Sequence, residues 1–159
     1  MERWRPILDH GRVTYRGRGM DLNRKVVFVC VHGSAKSLIA AEHFRRLALQ
    51  RGLEIDAISA GTDPDPEIPA HVIKGLLDDG IDVRGRTPQQ VRREDLTNAW
   101  RVVSFGCDLA GMAPRGLSIE RWDDVPAVSE DFRATRNVIV NRLKPLLAAC
   151  QGSPTPSAA

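Results

Sequence analysis

Val26-Val27-Phe28-Val29-Cys30-Val31-His32-Gly33-Ser34-Ala35-Lys36-Ser37 is the stretch whose reading decides the rest of the chain. Four apolar residues, three of them β-branched, run into a cysteine, as in a parallel strand covered on both faces. Small residues follow, and Leu38-Ile39-Ala40-Ala41-Glu42-His43-Phe44 opens an amphipathic helical pattern. A buried strand therefore ends at Cys30, a tight loop closes over it, and a helix starts near Lys36. That order sets a thiol within a ring of backbone N–H groups, at the positive end of a helix dipole. Loop amides of this kind bind tetrahedral oxyanions. The helix dipole, the Lys36 ammonium and the Ser37 hydroxyl all favour a thiolate, the form of cysteine that acts as a nucleophile. Gly33 is the position where the loop can take a positive φ and turn successive amides inward.

The alternation of strand and helix continues along the chain. Periodicity predicts a helix from Ser37 to Gln50, with Leu38, Ala41, Phe44, Leu47 and Ala48 on one face and a stop at Gly52. A second strand follows over Leu53 to Ser59, then a stiff loop rich in proline, Ala60 to Pro66. Helices are expected over Pro69 to Asp79 and Arg92 to Ala99. Strands are expected over Trp100 to Phe105 and Leu117 to Trp122. The last helix runs from Asp131 to about Cys150, with Pro145 as a candidate kink. This pattern predicts an α/β fold with a parallel sheet, right-handed crossovers and helices on both faces. In such sheets the functional crevice lies at the carboxyl ends of the strands. Cys30, the Ser59–Pro66 loop, the Cys107 loop and the Asp123-Asp124 turn all fall at that edge.

Composition narrows the class. At 159 residues the chain is long enough for one domain with a full core and short for two. No segment approaches the roughly 18 to 20 consecutive apolar residues of a membrane span, and no apolar block follows the N-terminal arginines. Three cysteines, odd in number and far apart, suit neither a disulfide framework nor a zinc site, so the expected compartment is a reducing cytoplasm. No metal or cofactor is expected. The net charge of +3 resides in residues 1–19, where five arginines face Glu2 and Asp9. The remainder is neutral, so neither nucleic acid nor a membrane is an expected partner of the domain. Trp4 and Tyr15 among those arginines would suit a nucleic-acid arm, but composition favours a disordered leader over 1–23, or a start at Met20, ahead of a domain over 24–151. Residues 152–159 read as a disordered tail.

The segment Cys30 to Ser37 resembles the phosphate-binding loop of the low-molecular-weight protein tyrosine phosphatases and the related thioredoxin-type arsenate reductases. The likeness extends through Ser59-Ala60-Gly61-Thr62, Gly80-Ile81-Asp82-Val83 and Trp122-Asp123-Asp124-Val125-Pro126. It implies a three-layer fold with a four-stranded parallel sheet flanked by helices. It also implies that Cys30 is the nucleophile, that His32, Gly33, Ser34, Ala35, Lys36 and Ser37 bind the anion, and that Asp124, with Asp123 as the other candidate, is the general acid. Cys107 stands where the reductases carry their first resolving cysteine, and so is a candidate redox partner, but Ala110 to Pro114 hold no second one.

The family arginine is Lys36 here and its loop asparagine is Gly33. A guanidinium grips a phosphate through two parallel N–H bonds, whereas an ammonium is a point charge. The function implied is hydrolysis of phosphate monoesters, such as phosphotyrosine, through a cysteinyl-phosphate, at reduced activity. The substrate would be a phosphorylated small molecule or a phosphoprotein. Two alternatives stay open: an oxyanion- or phospho-partner-binding protein without turnover, and an arsenate reductase coupled to an external thiol. Asp63 and Asp65 read as part of a solvated loop.

Overall fold

The computed structural model describes residues 24–152 and two earlier segments, 5–9 and 12–16. Those two form strands β1 (Arg5–Asp9) and β2 (Arg12–Arg16), paired antiparallel with Arg5 opposite Arg16. The rest of the leader and the tail from 153 on, with the disorder expected of them, lie outside the described residues.

The apolar run forms β3 (Lys25–Cys30), which carries no residue more exposed than Cys30 beyond its first position. Burial on both faces requires neighbours on both edges, and β3 has them. It pairs in parallel with β4 (Asp56–Gly61) on one side and β5 (Arg101–Ser104) on the other. The third parallel pairing, of β5 with β6 (Ile119–Arg121), completes a four-stranded sheet of order β4-β3-β5-β6.

Val26, Phe28 and Cys30 face a core built with α1 (Lys36–Gln50), α2 (Ala70–Asp78) and α4 (Phe132–Gly152). Val27 and Val29 face the other layer, with Leu96 of α3 (Arg93–Thr97), Val91, Cys107 and Leu109. The layers are those expected. Among the described residues no helix is long and apolar enough to cross a membrane.

The second strand begins and ends later than its alternation predicts. The Leu53 N–H closes back onto the Ala48 carbonyl at 2.9 Å, so Leu53 belongs to the end of α1. At the other end β4 runs on to Gly61. A Cβ there would lie 2.7 Å from Gly33 N and 2.7 Å from Val31 O. The absence of a side chain is what lets the strand extend under the thiol loop.

Helix α1 departs from its simple amphipathic pattern, because Glu42, His43 and Arg45 are buried. Each is paired, as buried charge requires. Arg45 donates to Glu42 Oε1 at 2.9 Å and to Asp56 Oδ1 at 3.0 Å, and Arg86 also reaches Glu42. His43 Nε2 lies 3.1 Å from Asp79 Oδ2, and Arg136 holds the other oxygen of that carboxylate. These pairs fasten α1 to β4, to the end of α2 and to α4.

Two outcomes are expected. Gly61→Ala forces backbone apart and costs about 2 kcal/mol, read as a lower urea midpoint at unchanged slope. Burial pushes the His43 imidazole below its ordinary value, with Asp79 partly opposing. The native state therefore binds fewer protons here than the unfolded chain, and stability present above about pH 6.5 declines as pH falls below it. Urea midpoints compared at pH 7.5 and 5.5 should show that decline, with a smaller difference in His43→Gln.

Candidate active site

Strand β3 delivers Cys30 to the carboxyl edge of the sheet, and α1 begins six residues later. Between them the chain makes a loop whose first three carbonyls, counted from Cys30, are taken on one side. Thr62 N–H donates to Cys30 O at 3.2 Å, Asp63 N–H to Val31 O at 2.8 Å and Asp65 N–H to His32 O at 3.0 Å. A trans peptide carries its C=O and N–H on opposite sides. Holding these three carbonyls against the 62–65 segment therefore turns the N–H groups of Val31, His32 and Gly33 the other way.

The thiol sits where those groups point. Gly33 N–H donates to Cys30 Sγ at 3.1 Å, and Ser37 Oγ lies 3.0 Å from the same sulfur. Gly33 adopts φ +64°, the left-handed conformation expected of it. Ala35 occupies the N-cap position of α1 with no side-chain cap, and the first turn contains no acidic residue. The helix N-terminus therefore keeps donors and positive potential for an anion. A sulfur that accepts the Gly33 N–H and shares a hydrogen bond with the Ser37 hydroxyl, beside such a cradle, can attack a tetrahedral oxyanion held in line with it.

The other side chains expected at the site are distributed less simply. Ser34 is buried, and its hydroxyl donates to Asp65 Oδ2 at 2.7 Å. His32 is mostly exposed and directs Nδ1 to Asp65 Oδ1 at 3.2 Å, so its ring turns to Asp65. Asp65 is thus part of the cradle wall and not the free surface carboxylate its proline-rich surroundings suggested. Nothing in its sequence context signals that role, because the contact spans 31 residues.

Lys36 Nζ donates to the Val125 carbonyl at 2.8 Å. The loop cation is therefore tied to the 122–128 turn, which is anchored from three further directions. Trp122 packs against Phe28 and, edge-on, against Phe105, while Val125 and Val128 are buried. The buried Thr135 hydroxyl lies 3.2 Å from Pro126 O and 3.3 Å from Ala127 O.

Asp124 forms a two-pronged pair with Arg142 of α4, at 2.7 and 2.6 Å. Arg142 holds its carboxyl below the usual carboxylate range, so that in this arrangement it is an ionised acceptor. Asp123 pairs with Arg121 at 2.9 Å. Arg142 had no signal in the sequence, lying eighteen residues from its partner.

Cys107 lies in the opposite core layer from Cys30, 3.2 Å from Ser104 Oγ. Burial pushes its thiol up, opposed by the Ser104 hydroxyl, while the nearby Cys30 adds to the rise. Cys150, at the end of α4, is pushed up to about 11 by burial. All three cysteines are free thiols. Among the described residues no cluster of His, Cys, Asp or Glu is placed to hold a metal ion.

Comparison with known proteins agrees with this geometry. A putative arsenate reductase of Halobacterium salinarum is 26% identical over 128 residues, covering 77% of this chain and 90% of that protein. The crystal structure of YfkJ from Bacillus subtilis superposes with a TM-score of 0.72 at 28% identity, covering 85% of this chain and 98% of its own. A low molecular weight phosphotyrosine phosphatase from Vibrio cholerae O395 shares the fold, with a TM-score of 0.69 at 24% identity over 80% of this chain and 97% of its own. The family model for low molecular weight phosphotyrosine protein phosphatase matches residues 25–121, from the first residue of β3 to the last of β6. With more than half its length matched and the thiol cradle in place, the chain belongs to the low molecular weight phosphotyrosine protein phosphatase family.

Proposed function

We propose that this chain hydrolyses phosphate monoesters through a cysteinyl-phosphate. The observation that carries the reading is the Cys30 sulfur, bonded by the Gly33 amide and the Ser37 hydroxyl at the uncapped start of α1. The thiolate attacks phosphorus, an S–P bond forms, and the bond to the leaving oxygen breaks. The inward amides and Lys36 stabilise the charge on the non-bridging oxygens. A carboxylic acid of the 122–126 turn protonates the leaving oxygen. Its carboxylate then takes a proton from the water that attacks the S–P bond, releasing inorganic phosphate and restoring the thiolate. The substrate is a phosphorylated small molecule or a phosphoprotein, with phosphotyrosine as one case.

Two features support a slow version of this reaction. Lys36 offers a point charge in place of a planar fork, and its ammonium is shared with Val125 O. Asp124, the first candidate acid, must leave Arg142 before it can carry a proton. If both impediments were complete, the chain would bind phosphate without turning over an ester.

Arsenate reduction is a second reading, favoured by the Halobacterium relative and by Cys107, whose thiol lies 3.5 Å from the carbonyl of Val29, the residue before Cys30. The two electrons would come from Cys30 and an external low-molecular-weight thiol, which end as a disulfide while arsenate becomes arsenite.

Purified protein assayed with an aryl phosphate should turn over, and Cys30→Ala should lose activity by at least about a thousandfold, as expected on removing a nucleophile. Equal rates in the two proteins would remove the phosphatase reading, and arsenate-dependent thiol consumption in its place would favour the second. Lys36→Arg is expected to raise kcat/KM about tenfold or more, one bidentate bond's worth. Wild type that binds phosphate yet gains turnover only with this substitution is a binding protein. Arg142→Gln releases the Asp124 carboxyl towards its ordinary range, so the descending limb of kcat against pH should move to higher pH. An unmoved limb assigns the acid to Asp123.

A further inference from the structure

The cradle that binds an anion has a carboxylate built into its wall. Asp65 uses both oxygens on alternate loop side chains, Oδ2 on the buried Ser34 hydroxyl at 2.7 Å and Oδ1 towards His32 Nδ1 at 3.2 Å. Its own N–H holds the His32 carbonyl at 3.0 Å. Coulomb's law alone makes a negative charge beside an oxyanion site unfavourable. The arrangement therefore has to contribute something else, and its bonds say what. They grip the loop on either side of Gly33, the residue whose amide reaches Cys30 Sγ and whose φ of +64° sets the turn.

We propose that Asp65 is a positioning residue that holds the cradle in its anion-ready shape before any anion arrives. Two neighbouring restraints leave it that task. The Cys30 and Val31 carbonyls are fixed by Thr62 and Asp63, and the far end of the loop by α1, where the Ile39 N–H donates to Ala35 O at 2.9 Å. Between them, the His32–Ser34 segment is gripped by the backbone and carboxylate of Asp65. Without the carboxylate the buried Ser34 hydroxyl loses its acceptor, and a buried polar group left unpaired costs more than the bond it made. The segment then has reason to rotate its amides out of the cradle. This rests on the reading of the cradle as an anion site, and it adds a residue that acts on the anion only through the loop.

Charge and positioning predict opposite signs, which makes the test direct. Phosphate binding to the full chain is measured by titration calorimetry in wild type, Asp65→Ala and Asp65→Asn, and amide exchange of residues 31–36 is followed in the same proteins. Deleting a carboxylate beside an anion strengthens binding if charge alone matters, and weakens it if the cradle is released. Asp65→Ala is expected to bind phosphate about tenfold more weakly, the loss of a bond to a charged group, with faster exchange at 31–36. Asp65→Asn, which loses the charge and keeps an oxygen for Ser34, is expected to bind at least as tightly as wild type.

Phosphate held more tightly by Asp65→Ala than by wild type, or unaltered exchange in that variant, would overturn the proposal. If Asp65→Ala does not fold, Asp65→Ser, which removes the carboxylate and leaves a shorter polar side chain in its place, is read by the same two measurements with the same expected signs. A wild type that binds no phosphate at all sinks the anion reading instead, and the exchange at 31–36 then decides the role of Asp65 by itself.

Discussion

The site depends on one constraint, the outward fixing of the Cys30, Val31 and His32 carbonyls by the amides of Thr62, Asp63 and Asp65. Left to itself, a loop of small residues would satisfy its polar groups with water and with its own turns. Here the 62–65 segment takes three successive carbonyls on one side, and peptide planarity delivers the matching N–H groups to the other. The contact needs the two backbones closer than side chains permit, which is why Gly33 and Gly61 meet where either Cβ would lie 2.7 Å from the other's backbone nitrogen. The parallel pairing of β3 with β4 sets this up, since its last rung places Cys30 beside Gly61.

The rest of the molecule can be understood as holding that rung in place. The strands beside β3 leave it no exposed edge, and the α1 charges bind it to β4, to α2 and to α4 through Asp56, Asp79 and Arg136. On the far side of the thiol, the 122–128 turn is packed by Trp122 and bound by Thr135, Arg142 and Lys36. That turn is a fastened ledge, and its carboxylates are held by Arg121 and Arg142. The thiol side of the site is held in place by hydrogen bonds, and Asp124 on the facing turn is an ionised partner of Arg142.

Much of this was legible from residues close together in the chain. The apolar run to Cys30, the small-residue loop and the helix after it form one continuous segment, so periodicity and turn chemistry sufficed to place them. What was misread, apart from the local closure at Leu53, involves residues far apart. Asp65 sits among prolines that suggest a solvated loop, yet it bonds across 31 residues. Leu53 has the alternation of a strand, yet its N–H closes the helix before it, and the strand extends instead to Gly61. Periodicity puts Leu38, Ala41, Phe44, Leu47 and Ala48 on one face of α1, but the helix is enclosed on more sides than that one, so Glu42, His43 and Arg45 are buried in pairs as well.

The sequence by itself determined that a thiol would lie within a ring of amides at the head of a helix, on an α/β sheet, with a lysine where its family carries arginine. Those are local facts, set by residue size, backbone freedom and period. Only the tertiary structure decided where the charges point: Lys36 to Val125, Asp124 to Arg142 and Asp65 to Ser34 and His32. The physical reason is that a long or charged side chain takes whichever partner the packing brings near, and chain order says little about that choice.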